Sequence, residues 1–242
     1  MKIIESLQNK KIKELAKLHS KKERDRSDCF LVEGEHMVKE AEASGFLKEV
    51  YILIDHENPT NIEATYCSQA VLNKLSVQNS NALIIGVCFK PHLQCKKENR
   101  ILLLNEVQDP GNVGTLIRTA YSFGYDAVYV SKGCADAFNE KTLQSSQGAI
   151  FHLPVISCDM LKTIESKKDM EMYATALHHD SISLQEAKPA SCFGIVLGNE
   201  GQGLPDSIIN ACSHCLKIEM DCFESLNVAI AGAICMYTLK MA

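Results

Sequence analysis

Short apolar runs alternate with amphipathic stretches along the second half of the chain, and this alternation constrains the fold more than any other feature. The apolar runs have the length of buried strands, and the stretches between them carry apolar residues at helical spacing. Strands and helices that alternate in this way form parallel sheets with helices on both faces. The predicted strands are 100–107, 126–131, 153–157, 172–177, 193–198 and 215–220, and the predicted helices are 113–124, 139–151, 159–168 and 225–240.

The first ninety or so residues carry a smaller pattern of the same kind. After a helix that begins near Ile12, the strands and helices follow one another in the order β-α-β-α-β. The polar segment 90–100 contains a proline and is the best candidate for a linker. We therefore expect a small α/β domain at residues 1–95 and a larger parallel α/β domain at residues 100–242. The predicted strands of the small domain are 29–34, 48–54 and 81–90, and its other predicted helices are 35–45 and 64–76.

The charge of the chain is unevenly distributed. The 242 residues carry a net charge of −5, yet residues 1–26 hold nine lysines and arginines against four acids. Nucleic-acid binding depends on local basic patches more than on total charge. Taken alone, the basic segment fits either an RNA contact or the solvated face of a helix.

The cysteines and the apolar runs point to an ordinary reduced, globular protein. Eleven cysteines are spread along the chain, and Cys212 and Cys215 form the only C-x-x-C pair. Because a structural zinc site normally needs a second pair, we expect thiols and no metal. The longest apolar run near the end, 228–239, is shorter than the roughly 20 residues of a membrane span. The sequence also shows no secretory signal, so we expect a cytoplasmic location.

A loop with three glycines follows the predicted strand 193–198. Its glycines are Gly198, Gly201 and Gly203, and this spacing matches neither the dinucleotide fingerprint nor the P-loop. A carboxylate about 4 Å from a phosphate costs on the order of 4 kcal/mol at an effective dielectric constant of 20. Glu200, in the middle of this loop, therefore favours a cationic or hydroxyl-rich ligand over an anion.

Two further clusters of polar residues flank predicted helices. In the first, Asn112 is placed to cap the coming helix, and Arg118 follows two turns later. In the second, Ser225 and Asn227 stand at the start of the last helix, where backbone N–H groups can bind polar ligand atoms. Each cluster alone is weak evidence, but together with the glycine loop, and in this order, the three are specific.

These three motifs, at 109–120, 195–204 and 218–233, resemble those of the SpoU/TrmH family of RNA ribose 2′-O-methyltransferases in the SPOUT superfamily. The resemblance covers roughly residues 101–242, and the first ninety residues resemble, more loosely, a ribosomal-protein-like RNA-binding domain. It implies a parallel α/β sheet with a C-terminal trefoil knot and S-adenosylmethionine as cofactor. It also implies a homodimer that completes the active site and an RNA substrate.

The resemblance also assigns residues. The adenosine pocket and its walls would be formed by Leu197, Gly198, Asn199, Ile218, Met220, Leu226 and Val228, with Thr175 near the methionine end. The polar catalytic positions would be Arg118, Asn112, Glu200, Ser225 and Asn227. An arginine is a poor base because its pKa lies above about 12. We therefore expect Arg118 to orient the target hydroxyl or its phosphate and to stabilise charge, and we assign no general base.

One residue departs from the family pattern. Glu219 stands where the third motif usually has proline, which adds a backbone N–H and a charge beside the cofactor wall. Because the rest of the motif is intact, we expect an active enzyme that methylates a ribose 2′-hydroxyl of ribosomal RNA. The alternatives are a tRNA substrate, although the minimal tRNA-modifying form lacks an N-terminal domain of this size, and a catalytically silent RNA-binding protein.

Overall fold

In the part of the chain that the structure describes, two sheets make up the fold, and the N-terminal one has five strands. The computed structural model describes residues 2–76, 81–95, 97–176, 180–222 and 225–241. The strand order in the first sheet is β1-β4-β3-β5-β2, in which β5 runs antiparallel to both of its neighbours and the other pairs are parallel. Its strands are β1 Lys2–Ile4, β2 Cys29–Glu33, β3 Leu47–Leu53, β4 Ala64–Cys67 and β5 Ile84–Phe89; its helices are α1 Lys10–Ala16, α2 Lys21–Ser27, α3 Glu35–Ala43 and α4 Gln69–Leu75.

The second sheet has seven strands, and each pair of neighbours runs parallel. The strand order is β10-β12-β9-β11-β6-β7-β8. This confirms the predicted parallel α/β fold. The strands are β6 Arg100–Leu104, β7 Ala127–Ser131, β8 Val155–Cys158, β9 Glu171–Thr175, β10 Ile182–Ser183, β11 Phe193–Leu197 and β12 His214–Lys217; the helices are α5 Pro110–Ser122, α6 Glu140–Ser146, α7 Met160–Ser166, α8 Asp206–Ala211 and α9 Val228–Met241.

The unbroken apolar character of the central strands follows from helices on both faces of this sheet. Along β6, Leu102 and Leu104 belong to the core that includes α5 and α9. Ile101 and Leu103 belong to a separate core that includes α7 and α8. Successive side chains of a strand point to opposite faces, so a strand covered on both sides needs apolar residues at each position.

The structure corrects several element predictions. Residues 64–67 form β4, which we predicted as the start of a helix; it lies between β1 and β3 and pairs with both. Strand pairing therefore outweighs the helical spacing of a segment that carries Thr65 and Tyr66, both good strand formers. The predictions also omitted β1, β10 and α8, and β12 ends at Lys217 instead of residue 220. The predicted end of strand 172–177, Leu177, lies outside the described residues.

The two sheets share a hydrophobic core across the junction between them. Each sheet is built from residues on one side of segment 90–100, and the division at that segment stays a prediction. The ring of Phe30, on β2, lies 5.0 Å from that of Phe138 and 6.0 Å from that of Phe151. At the edge of this contact, His19 and Glu140 approach to 2.8 Å.

Arg24, on α2, lies at the same junction and is not part of an exposed basic patch. Its side chain is 5% exposed and donates to the carbonyl oxygens of Leu18 and His19 at 2.9 and 2.8 Å. It also forms a 2.6 Å ion pair with Asp136 of the second unit. Arg24 therefore fixes one unit against the other, and the part of our prediction that counted it among possible RNA contacts was wrong.

Removing the Arg24 guanidinium should destabilise the fold. In Arg24→Met, Asp136 keeps a nearly buried charge without its partner, so we expect the free energy of unfolding to fall by about 3 kcal/mol. Urea denaturation measures this change. The control is Arg26→Met on the same helix, because Arg26 is 69% exposed and its pair with Glu23 should contribute less than about 1 kcal/mol. Equal, small changes in both variants would contradict the assignment.

Candidate functional site

A cavity of about 530 Å³ opens at the carboxyl ends of β9, β11 and β12. Ligands of open parallel sheets generally bind at this edge. The glycine loop after β11 forms one wall, and residues that precede α9, among them Ile218, Met220 and Leu226, form another. The cavity lining includes each of the eight residues predicted to hold the cofactor: Thr175, Leu197, Gly198, Asn199, Ile218, Met220, Leu226 and Val228.

The glycine loop folds back on itself through its own backbone. The N–H groups of Asn199 and Gly203 each donate to the other's carbonyl oxygen at 3.0 Å. The Asn199 side chain accepts from the N–H groups of Gly201 and Gln202, and its amide donates to the carbonyl oxygen of Glu106. Gly203 adopts φ +70°, a conformation that other residues rarely adopt. The loop is therefore a closed turn with its backbone directed at the cavity.

Glu200 ties this loop to the segment that follows β6. Its carboxylate accepts from the side-chain amide of Asn112 at 3.0 Å and from the N–H groups of Gln108 and Asp109 at 3.1 Å. Burial by itself raises the pKa of the Glu200 carboxyl, but these hydrogen bonds outweigh burial and hold the pKa below its usual value. Glu200 is therefore ionised at neutral pH, which suits a cationic ligand and not an anionic one.

Asn112 is a bridge between motifs and not the helix cap that we predicted. α5 begins at Pro110, and its N-cap is Asp109, whose Oδ1 accepts from the Asn112 N–H at 3.0 Å. The cap must precede the first helical residue, and proline is favoured at the position after it. The Asn112 side chain instead donates to Glu200 and accepts from the amide of Asn227 at 3.0 Å. Glu200, Asn112 and Asn227 thus join all three motifs in one hydrogen-bonded chain.

The last helix begins at Val228, three residues after the predicted start at Ser225, so Ser225 and Asn227 both precede it. Asn227 Oδ1 accepts from the N–H groups of Ala229 and Ile230 at 2.9 and 3.3 Å, which is the geometry of an N-cap. Ser225 is exposed and lines the cavity. The structure therefore brings four of the five predicted catalytic residues to one place: Asn112, Glu200, Ser225 and Asn227.

Arg118 is the exception. It lies on the exposed side of α5, and the cavity is lined by other residues. Its side chain makes no hydrogen bond or ion pair with any residue that the structure describes. The rest of α5 at this point is held in place by buried Leu116 and Ile117. The guanidinium of Arg118 is therefore free to bind a ligand or a second chain, and the helix that carries it is anchored by buried residues.

The charge of Glu219 is paired beside the cavity. Its carboxylate lies 3.2 Å from the ammonium group of Lys217, and the cavity lining includes Lys217 but not Glu219. The residue that replaces the usual proline therefore lies outside the wall, whose apolar members on either side of it, Ile218 and Met220, are in place.

Several residues of the site were not predicted from the sequence. Lys141 holds the Asp109 carboxylate at 2.8 Å, and Asp206 and Leu216 contribute to the cavity. The Asp-Pro pair at 109–110 could have predicted the start of α5, because this order is typical of an N-cap followed by the first helical residue. The partner of Asp109 lies 32 residues along the chain, and no local pattern indicates it.

Among the described residues, no group of three His, Cys, Asp or Glu side chains is placed to hold a metal, and no helix is long and apolar enough to cross a membrane.

Comparisons with known proteins agree with the resemblance drawn from the motifs. A model described as the SpoU rRNA Methylase family matches residues 99–237, and one described as the MRM3-like substrate binding domain matches residues 9–86. The 23S rRNA (guanosine(2553)-2′-O)-methyltransferase RlmP of Bacillus subtilis strain 168 is 38% identical, over 99% of this chain and 100% of the relative.

Solved structures share the whole fold. The crystal structure of an RNA 2′-O ribose methyltransferase has a TM-score of 0.84 at 28% identity, over 98% of this chain and 97% of that one. An AdoMet-bound rRNA methyltransferase from Sinorhizobium meliloti has a TM-score of 0.87, over 99% and 97% of the two chains. At 22% identity, the second likeness shows the fold alone. Since the first family model matches more than half of the residues, the chain belongs to the SpoU rRNA methylase family.

Proposed function

We propose that this protein transfers a methyl group from S-adenosylmethionine to a ribose 2′-hydroxyl of ribosomal RNA. The observation that carries the proposal is the cavity at the sheet edge, where the three motifs meet through Glu200, Asn112 and Asn227. The relative that is 38% identical over its whole length is named for the same reaction on 23S rRNA, which favours rRNA over tRNA. A ribosomal substrate also favours the cytoplasm as its location.

The cavity has the size and chemistry that S-adenosylmethionine requires. At about 530 Å³ it falls within the usual range for small-molecule sites, about 300–1,000 Å³. Ile218, Met220 and Leu226 offer apolar contact to an adenine ring, and the backbone of the glycine loop offers hydrogen bonds. The ionised Glu200 lies in the lining and favours a positively charged donor over a phosphate-bearing cofactor.

The residues of the site position two reactants. S-adenosylmethionine, when bound, would supply a methyl group on a positively charged sulfur: the C–O bond to the ribose would form as the C–S bond breaks, the 2′-hydroxyl would give up its proton, and S-adenosylhomocysteine would leave. The Glu200–Asn112–Asn227 chain holds the glycine loop, the start of α5 and the start of α9 in fixed relation. Holding two reactants in register in this way lowers the barrier by several kcal/mol. Arg118 binds the phosphate beside the target ribose or the attacking oxygen and stabilises the negative charge that develops there.

We propose that a second copy of the chain brings Arg118 to the cavity. Ile230, Ile234 and Tyr237 are 53%, 37% and 57% exposed and recur on one face of α9. Tyr121, one turn after Arg118, is 46% exposed. A contiguous exposed apolar face is typical of an interface. Leu226 lies both in the cavity lining and one turn before Ile230, so a partner that covers this face also reaches the cavity.

We also propose the trefoil knot that the family resemblance implies. The support is that Ile218, Met220, Ser225 and Leu226 line the cavity together with the glycine loop, and that α9, which follows them in the chain, packs against α5. At Gly232, a side chain would collide with Leu116 of α5 and Leu197 of β11, so α9 lies close against both elements.

Transfer of radiolabelled methyl groups tests the function. Purified protein with labelled S-adenosylmethionine should methylate an in vitro transcript of 23S rRNA, and nuclease mapping should place the label on a ribose 2′-oxygen. Label on a tRNA transcript instead would replace rRNA with tRNA as substrate. If calorimetry detected no binding of S-adenosylmethionine, the hypothesis of a catalytically silent RNA-binding protein would be favoured instead.

The exposed lysines of the N-terminal helices provide a separate prediction about RNA binding. Lys10, Lys13, Lys17 and Lys22 are exposed and form no ion pair within the described ranges, whereas Lys11 pairs with Glu49. Replacing the four together with alanine should weaken binding of the 23S transcript and flatten its salt dependence, because each phosphate contact adds to the slope. Filter binding at several salt concentrations measures this. Lys11→Ala is the paired control, and an unchanged slope in the fourfold variant would mean that these lysines only solubilise the helices.

A further inference from the structure

A second groove opens where the two units meet, on the opposite side of β6 from the cofactor cavity. It has a volume of about 330 Å³. Lys21 and Asp25, on α2, and Lys90, after β5, line it from the N-terminal unit. The end of β7, the loop that follows it, and β8 line it from the other unit, and the residues there include Ser131, Lys132 and Ser157.

The groove is positively charged although the whole chain is negative. The Asp25 carboxylate accepts from the ammonium groups of both Lys21, at 2.8 Å, and Lys90, at 2.6 Å. Its single negative charge neutralises only one of these two positive charges. Asp136, the other acid of the lining, is already neutralised by the buried Arg24. Lys132 is exposed and forms no ion pair with any described residue, although Asp159, outside the lining, is close enough to interact with it electrostatically. Three lysines against one unneutralised acid leave the groove with a net charge of about +2, which favours an anion.

The ammonium group of Lys90 is held in a fixed position. Its side chain is 11% exposed, and besides Asp25 it contacts the ring of Phe138, whose centroid lies 5.0 Å from Nζ. A charge fixed in this way is preorganised, and an anion that binds it does not have to order a mobile side chain. The hydroxyl groups of Ser131 and Ser157 in the lining are further donors that suit phosphate oxygens.

The groove and the cofactor cavity lie along the same edge of the parallel sheet. β7 ends at the groove and β8 lines it through Val155 and Ser157, whereas β9 and β11 end at the cavity, and β6 lies between β7 and β11. Neighbouring strands lie about 4.8 Å apart, so two strand spacings place the end of β7, at the groove, about 10 Å from the end of β11, at the cavity. The loop after β7 is also bonded to the loop after β6: the Glu106 N–H donates to Ser131 Oγ at 2.9 Å, and the Ala135 N–H to the Val107 carbonyl oxygen at 2.9 Å.

We propose that this groove binds the phosphate backbone of the RNA strand that carries the target nucleotide, a few nucleotides from the ribose that is methylated. The proposal rests on the function proposed above. A compact ammonium group attracts phosphate but does not distinguish one base from another. The groove therefore contributes to RNA affinity and to the position of the RNA strand along the protein, but to no sequence preference. Its lysines come from both units, so bound RNA contacts both units at once.

Salt-dependent binding of a 23S rRNA transcript tests the groove. Lys132→Ala and Lys21→Ala should each lower the magnitude of the slope of log K against log salt concentration by about one, and the double variant by about two. The control is Lys39→Ala, because Lys39 also pairs with an acid one helical turn away and is 52% exposed, compared with 62% for Lys21. Its slope should equal that of the wild type. Thermal melting of each variant verifies that the fold is retained.

The outcomes separate the groove from the proposed function. If both groove variants bind with the wild-type slope while the wild type still methylates the transcript, the groove proposal is overturned and the function stands. If the wild type neither binds S-adenosylmethionine nor methylates RNA, both are overturned. Reduced slopes in the groove variants together with an unchanged slope in Lys39→Ala support the groove.

Discussion

Replacing Gly198 with alanine should lower the affinity for S-adenosylmethionine by about 100-fold or more. A Cβ at this position would lie 2.5 Å from the carbonyl oxygen of Gly203 and 2.8 Å from the backbone nitrogen of Leu204. Both atoms belong to the backbone of the glycine loop, so no side chain can rotate away to make room. Overpacking a fixed structure costs about 3 kcal/mol, which corresponds to about a 100-fold loss of affinity if the loop must open.

Gly201 provides the matched control in the same loop. The nearest atom to a Cβ on Gly201 is the side-chain oxygen of Asn199 at 3.6 Å, an ordinary contact, and Gly201 needs no left-handed conformation. Gly201→Ala should therefore bind the cofactor within a few-fold of wild type. Isothermal calorimetry on both variants measures the difference. Cofactor affinity equal to that of the wild type in Gly198→Ala would show that this turn does not form part of the cofactor site.

The sequence was sufficient to predict the second sheet because each of its central strands is apolar on both faces. Leu102 and Leu104 pack toward α5 and α9, and Ile101 and Leu103 toward α7 and α8, so the signal is unbroken. The N-terminal sheet was harder to predict. β1 and β4 have three and four residues, and β4 is identified by its pairing with β1 and β3, whose residues lie far along the chain. Local spacing carries no information about such pairing.

The candidate site, like the two sheets, was predictable from the sequence only in part. The motifs indicated which segments meet, and the eight cofactor residues do lie around one cavity. The contacts that join the motifs could not be predicted, because Asn112 bonds with Glu200 across 88 residues and with Asn227 across 115. Glu200 illustrates the gap. The sequence indicated that the charge of Glu200 disfavours phosphate. It could not indicate the hydrogen bonds from the Gln108 and Asp109 N–H groups, because these form only in the folded chain.

Arg118→Ala should lower kcat for methyl transfer about 100- to 1,000-fold, the usual effect of removing one group that stabilises transition-state charge. The affinity for S-adenosylmethionine and the melting temperature should stay those of the wild type, because the side chain is exposed and has no partner among the described residues. Arg118→Lys should recover only a small part of the rate, since an ammonium keeps the charge but not the planar fork of donors. Wild-type turnover in Arg118→Ala would refute the role.

Mixing the two defective variants tests whether Arg118 acts across a dimer. In a symmetric dimer, a protomer with Arg118→Ala keeps an intact cavity, and a protomer with Gly198→Ala keeps its arginine. A heterodimer then contains one site with both parts intact and one with neither. With S-adenosylmethionine above the dissociation constant of the wild type and well below that of Gly198→Ala, each variant alone is nearly inactive. Random exchange puts about half of the dimers in the mixed form, so the mixture should recover about a quarter of wild-type activity. If Arg118 instead served the cavity of its own protomer, no heterodimer would contain a complete site, and the mixture would show no more activity than the two variants measured separately.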